Sequence, residues 1–448
     1  MKNLTLIIFT ISLILNSPFS YSLEKNFKVG MVTDVGGVND QSLNPFSLVE
    51  LFKNIIGVKA SKFTSIKISK TNDSNAIVIH PFASLERKAW KPEKWVEILL
   101  RFLKEESTSH IYLVGSQTDL LKSQIITQNP LLKNFSDRIS NLTGKIQLTE
   151  LHELLSEAKL FVGHDSMVGH LASVCKTTSL TISLGSVRPH ETTPYQINAY
   201  NISPRTKCYP CFPTDKCEFN QCHHDISFQM ISSTIKELYL NNEINDKWLK
   251  ENVSSFHTSS INFYKSRFEN GRMAIENISQ GTLDSDDIFR QIYKIVWSYC
   301  LSETEVISNF PKLTPISHRA LLDTLEGVQN LFETSEFGKK YSRFILEEIS
   351  SQTPSVVKIK DYSKKIDEID QLQKMVVKTS PYLAPLIDYF VIRKSNIPGE
   401  NIVTMAENLY LTFEEYATIS SVIYDLVEKT ISEHVLISER INHKSESL

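Results

Sequence analysis

The stretch Ile77-Val78-Ile79-His80-Pro81-Phe82-Ala83-Ser84 runs from branched apolar residues into a polar turn, and two later stretches repeat that succession. They are Gly115-Ser116-Gln117-Thr118-Asp119 and Gly163-His164-Asp165-Ser166-Met167-Val168-Gly169-His170. Each follows an apolar run and opens a helix pattern, which is how an open parallel sheet builds a ligand crevice at the carboxyl ends of its strands. Ala76 to Leu238 is therefore expected to be α/β, a doubly wound parallel sheet with a nucleotide-type crevice.

Outward from these turns, the pattern predicts strands over 76–80, 110–114, 160–162 and 180–183. It predicts helices over 92–105, 119–128, 148–158 and 167–174, and a closing helix from about 226 to 239. Upstream, Leu48, Leu51, Phe52, Ile55 and Ile56 are spaced by three and four, as in a helix with one buried face, and Ser61 to Ser74 reads as a polar linker. Beyond Asn241 the glycines thin out, and 288–301, 318–332, 341–349 and 420–434 keep helical spacing with no chemical motif, which predicts a helical bundle.

The 448 residues allow two or three domains, and 41% hydrophobic content suffices for buried cores. A net charge of -3 and the lack of a Lys/Arg run argue against a nucleic-acid partner. At the amino terminus Met1-Lys2-Asn3 precedes the apolar stretch Leu4 to Leu15, and the small-residue site Ser20-Tyr21-Ser22 follows. That is a secretory-signal pattern, with a buried first strand as the alternative. A bilayer span needs about 20 residues, so no transmembrane segment is expected beyond this signal-like one.

Phe27 to Asn44 is a strand pattern ending in a Gly-Gly turn, and it resembles the opening of the basic membrane protein family of nucleoside-binding lipoproteins. The resemblance implies ligand-holding roles for Asp34 and Asn44, and it stops at Pro45.

A second resemblance covers about residues 75 to 240. Ile77-Val78-Ile79-His80-Pro81, Lys88-Ala89-Trp90, Leu113-Val114-Gly115, Val162-Gly163-His164-Asp165-Ser166 with His170-Leu171-Ala172, and Ser183-Leu184-Gly185-Ser186 occur in order. Together they resemble the carboxyl-terminal, donor-binding domain of glycosyltransferase family 9, the lipopolysaccharide heptosyltransferases. The resemblance implies one half of a two-domain transferase fold, with a nucleotide-sugar donor and a lipopolysaccharide-type or other glycan acceptor as partners. It implies no cofactor for the transfer itself.

It also assigns donor-binding roles residue by residue. Lys88 and Ser84 match groups that hold the donor diphosphate, where a leaving group develops negative charge. Asp165 and His170 match residues at the donor sugar, and Asp119 falls where the family often has a glutamate on donor hydroxyls. Ser166, with Asp165, sits where a strand hands over to a helix whose free amides favour an anion. Read from the residues alone, Lys88 has a solvated lysine as its alternative, set against its fixed distance to Trp90 and Pro92, and Asp119, Asp165 and Ser166 have a helix-start or capping role as theirs. The family's glycine after Ser166 is Met167 here, and glycine returns at Gly169. Family members draw acceptor and catalytic aspartate from an amino-terminal domain that is truncated here, leaving Asp34 and Asp40 as the nearby carboxylates able to act as general base.

Cys208-x2-Cys211-x5-Cys217-x4-Cys222, followed by His223-His224, is a compact set of thiols. Structural zinc, an iron–sulfur cluster and two disulfides all fit this spacing. Cys175 and Cys300 read as isolated core thiols. The predicted domains are a signal-like segment at 1–22, a truncated region and linker at 23–74, the donor-binding α/β domain at 75–240 and a helical domain at 241–448. Two functions follow: a transferase moving a heptose or related sugar, cytoplasmic and membrane-associated, or a non-catalytic binding or structural protein exported to the periplasm that reuses the donor domain.

Overall fold

The computed structural model describes residues 43–50, 74–211, 216–217, 219–253, 260–269, 272–279, 282–283, 285–300, 312–313, 315–399 and 401–445. The signal-like segment, the turn carrying Asp34 and Asp40, and nearly all of the 61–74 linker lie outside them. The chain divides into two compact units, one of residues 46–50 and 59–280, the other of 281–448 with the remaining amino-terminal residues.

In the α/β unit, β1 (Ala76–His80), β2 (His110–Leu113), β3 (Ile139–Asn141), β4 (Leu160–His164), β5 (Thr178–Ile182) and β6 (Ala199–Pro204) pair in parallel in the order β3-β2-β1-β4-β5-β6. Sequence order reverses at the β1–β4 pair, so the crevice expected of such a sheet opens there. β7 (Ile261–Glu269) and β8 (Arg272–Asn277) add on antiparallel after β6.

Strand alternation divides the apolar side chains between two faces. Ile77, Ile79, Leu160, Val162, Leu180 and Ile182 share a core with Trp95, Ile98, Leu99 and Phe102 of α1 (Pro92–Glu105). Val78 and Phe161 face the other way, toward Leu151 and Leu155 of a helix at Leu148–Glu157, here α3 after α2 (Leu120–Thr127), and Val168 and Ala172 of α4 (Met167–Val174). Cys175 is buried in this second core as expected, whereas Cys300 is half-buried.

The predicted domain boundary at 240 differs from the fold, because the sheet runs on through Asn277. Lys265, Arg267 and Glu269 alternate along one face of β7, a strand that the patterns above do not include. Ser266 secures that strand, donating to the Gln196 carbonyl at 2.6 Å and accepting from the Ala199 amide at 2.8 Å. β3 and β6 are also absent from the sequence pattern, β3 being only three residues long and β6 carrying Asn201 and Ser203 among its apolar residues.

The second unit is helical as expected, but with longer helices. The patterns at 318–332 and 341–349 belong to one helix, Pro315–Ile349, and that at 420–434 to another, Ile402–Ser445. Leu321, Thr324, Val328, Leu331, Ser335, Gly338, Ser342 and Ile345 alternate steps of three and four along the first, and these two helices pack on each other as such a heptad seam requires. A Cβ on Gly338 would meet the Phe413 ring at 2.2 Å, so glycine joins what reads as two helices into one. No helix among the described residues is long and apolar enough to cross a membrane.

Glu106 ends α1 in a dense polar knot. Its carboxylate accepts from the Thr108 and Ser109 amides, both at 2.7 Å, and pairs with Arg138 at 3.3 Å. Burial pushes its pKa up, but the hydrogen bonds from Ser109 and Thr108 outweigh that and hold it below the usual 4.5. A lowered folded pKa contributes stability that is present above 4.5 and is lost as pH falls through the folded value. Glu106→Gln is expected to destabilise the α/β unit by about 1–3 kcal/mol at pH 7, with the difference from wild type shrinking in urea titrations at pH 3.5.

Candidate functional site

Lys88 leaves β1 on a single helical turn closed by its own amide donating to the Leu85 carbonyl at 3.0 Å. Asp165 follows β4 directly. Because β1 and β4 are neighbours, with His80 opposite Gly163, these side chains, 77 positions apart, meet at 3.2 Å between Nζ and Oδ2. Both are largely buried, with side-chain exposures of 21% and 14%, so the pair is better shielded than an exposed surface bridge.

His164 is the last residue of β4 and is wholly buried. Its Nε2 accepts from the Trp90 amide at 3.1 Å and its Nδ1 bonds the Ile182 carbonyl at 3.0 Å. The rings of Trp90 and Trp95 stand edge-on to it at 5.4 and 5.5 Å. Burial lowers its pKa to about 3. His80, at the end of β1, is lowered by burial to about 4, with Asp119 pulling the other way.

Of the remaining sequence-derived candidates, Ser84 is exposed beside the Lys88 turn, and Met167 is 59% exposed at the start of α4. Ser166 occupies the cap position of α4 without capping it; its Oγ is buried with no partner among the described residues. His170 is half-buried in α4. Asp119 is committed to a local turn, accepting from the Ser116 amide at 2.9 Å and its hydroxyl at 2.6 Å, which is the capping alternative.

A row of polar groups that strand periodicity alone does not reveal crosses the sheet behind these turns. His80, Gly163, Thr181 and Asn201 lie side by side in register on β1, β4, β5 and β6. His80 Nδ1, Thr181 Oγ1 and Asn201 Oδ1 are buried without partners among the described residues, and the hydroxyls of Ser183 and Ser203 lie further along the same strands, near the Tyr209 hydroxyl. Signals existed in the unusually polar strands Thr178–Ile182 and Ala199–Pro204.

The cysteine loop braces the same end of the sheet. Tyr209 donates to the Val187 carbonyl at 2.6 Å, and the Cys211 amide donates to the Gly185 carbonyl at 3.0 Å. His223 Nε2 bonds the Arg87 carbonyl at 2.9 Å, next to Lys88. Lys94 donates to the carbonyls of His223 and Ile226, each at 2.6 Å, and stands 4.0 Å over the Trp90 ring. Burial brings its pKa down to about 8, against the pull of Glu97, Asp225 and Cys222. Among the described residues no disulfide joins the cysteines, and no group of three or more His, Cys, Asp or Glu is placed to hold a metal ion.

With this geometry in hand, comparison with known proteins gives a clear match: residues 52–222 fit the model of glycosyltransferase family 9 (heptosyltransferase). Over this segment the chain is similar to glycosyltransferase family 9. Lipooligosaccharide heptosyltransferase 2 of Campylobacter jejuni serotype O:6 is 26% identical to the chain over 201 residues, 44% of this chain and 61% of that protein. The chain therefore spans about three-fifths of that relative's length. Two solved structures are also similar. E. coli ADP-heptose lipopolysaccharide heptosyltransferase II shares 23% identity with a TM-score of 0.32, over 38% of this chain and 47% of that one. E. coli heptosyltransferase WaaC with ADP shares 19% identity with a TM-score of 0.29, over 37% and 45%.

Within the family 9 segment, Gly185 carries the turn after β5 at φ +61°, and a Cβ there would lie 2.6 Å from the Arg87 carbonyl oxygen. Gly185→Ala therefore meets both a left-handed backbone and the Lys88 turn. It is expected to cost about 1–3 kcal/mol in urea-induced unfolding.

Proposed function

We propose that the chain transfers a heptose or related sugar from a nucleotide-sugar donor to a lipopolysaccharide-type acceptor, with the α/β unit holding the donor. The observation that carries this reading is the Lys88–Asp165 pair at the crevice of a family 9 segment. Lys88 supplies positive charge where the departing diphosphate gains negative charge, with Ser84 as a hydroxyl donor beside it. Asp165 and His170 take the donor sugar, and the uncapped start of α4, with the Ser166 hydroxyl, offers amides to the anion. On this reading the chain works in the cytoplasm at the membrane, where activated sugars are available.

Calorimetry with ADP-heptose tests the reading. Wild type is expected to release heat on binding, and Lys88→Ala to bind about 10- to 100-fold more weakly, the loss of one charge-assisted contact. Asp165→Asn is expected to weaken sugar-bearing donors more than ADP itself. A well-folded wild type that binds neither overturns the proposal in favour of the non-catalytic protein.

The cysteine loop enters as a structural element. Among the described residues its thiols are not converged into a metal-holding set, although Cys208, Cys211 and Cys217 lie close enough to Cys222 to raise its pKa, after burial itself. A structural zinc ion or iron–sulfur cluster is proposed for these four residues, with no part in transfer. About one zinc per chain, or iron with matching labile sulfide, is expected in elemental analysis, and a metal-free folded chain sinks this assignment.

A further inference from the structure

We infer that His164 is a positioning residue, whose ring fixes the distance between Lys88 and Asp165 by tying the backbone of the Lys88 turn to β4 and β5. A backbone amide can only donate and a carbonyl can only accept. The contact from Trp90 N therefore makes Nε2 the acceptor, and the contact to the Ile182 carbonyl puts the proton on Nδ1. One neutral ring with one tautomer thus joins three segments: β4 through its own backbone, β5 through Ile182, and the Lys88 turn through Trp90.

The leverage is short on both sides. Asp165 is the next residue after His164, and Lys88 is two residues before Trp90. On its other side the turn is held by the His223 bond to the Arg87 carbonyl, and the ion pair itself reaches across on a four-carbon lysine stem, a flexible support for a contact of 3.2 Å. Trp90 N is buried with His164 as its partner, so removing the ring leaves an amide that must open the turn to find water. The packing role is separable, since Trp90 and Trp95 meet the ring by its edges and faces, which another aromatic ring can also satisfy.

This inference rests on the donor-binding reading above, and the test keeps the two apart. His164→Phe keeps an aromatic ring between the tryptophans and loses both hydrogen bonds. His164→Gln can still accept from Trp90, and His164→Asn reaches only as far as the Ile182 carbonyl. Affinity for ADP-heptose is expected to fall about tenfold or more in His164→Phe and His164→Asn and to be largely restored in His164→Gln, with melting temperature followed in parallel. A role confined to packing predicts the reverse, near-normal binding by His164→Phe, and that result overturns the inference. So does loss of binding by all three in proportion to loss of stability. Amide hydrogen exchange over residues 85–91, read by mass spectrometry, does not need a ligand. If wild type binds no donor, about tenfold faster exchange there in His164→Phe than in wild type still supports the positioning role, and unchanged exchange overturns it.

Discussion

The site depends on the pairing of β1 with β4, and that pairing depends on Gly163. In the register found, His80 lies opposite Gly163, and a Cβ at Gly163 would sit 2.5 Å from the His80 carbonyl oxygen. With no side chain there, the two strands run together to their carboxyl ends, where the sheet changes direction. The turns that follow carry Lys88 and Asp165, so a pair distant in sequence becomes an ion pair at the one place in such a sheet where a crevice opens.

Around this pair the fold tolerates polar groups that a pure packing argument would exclude. His80, Thr181 and Asn201 are buried and carry atoms without partners among the described residues. Each such atom costs about 1–3 kcal/mol unless solvent or ligand reaches it. The two apolar faces that sandwich the strands, led by Trp95, Leu99 and Phe102 on one side and Phe161 and Leu155 on the other, offset that cost. The cysteine loop adds backbone contacts at Val187, Gly185 and Arg87, which hold the strand ends and the Lys88 turn as one assembly.

The helical unit shows how a local residue can be misread without its partner. A glycine within a helical pattern commonly marks an end or a weak point. Gly338 instead lies under Phe413, and the seam on either side of it continues without interruption. The same limit applies to β7, whose place in the sheet shows only once Ser266 is seen bonding to Gln196 and Ala199.

Much of the α/β core was legible because strands buried on both faces are continuous short apolar runs, as at Ile77-Val78-Ile79, and a helix with one buried face repeats every 3.6 residues, as at Trp95–Phe102. The helix at Pro92–Glu105 is found where its pattern places it. The sequence alone thus determined the fold class and the turns on which Lys88, Asp119, Asp165 and Ser166 reside. Only the tertiary structure decided which of those turns meet. It set Lys88 against Asp165, committed Asp119 to a cap with Ser116, and gave His164 its partners on β5 and at Trp90. The physical reason is that periodicity records which face a residue occupies, whereas strand order and register, set by contacts distant along the chain, decide what it faces.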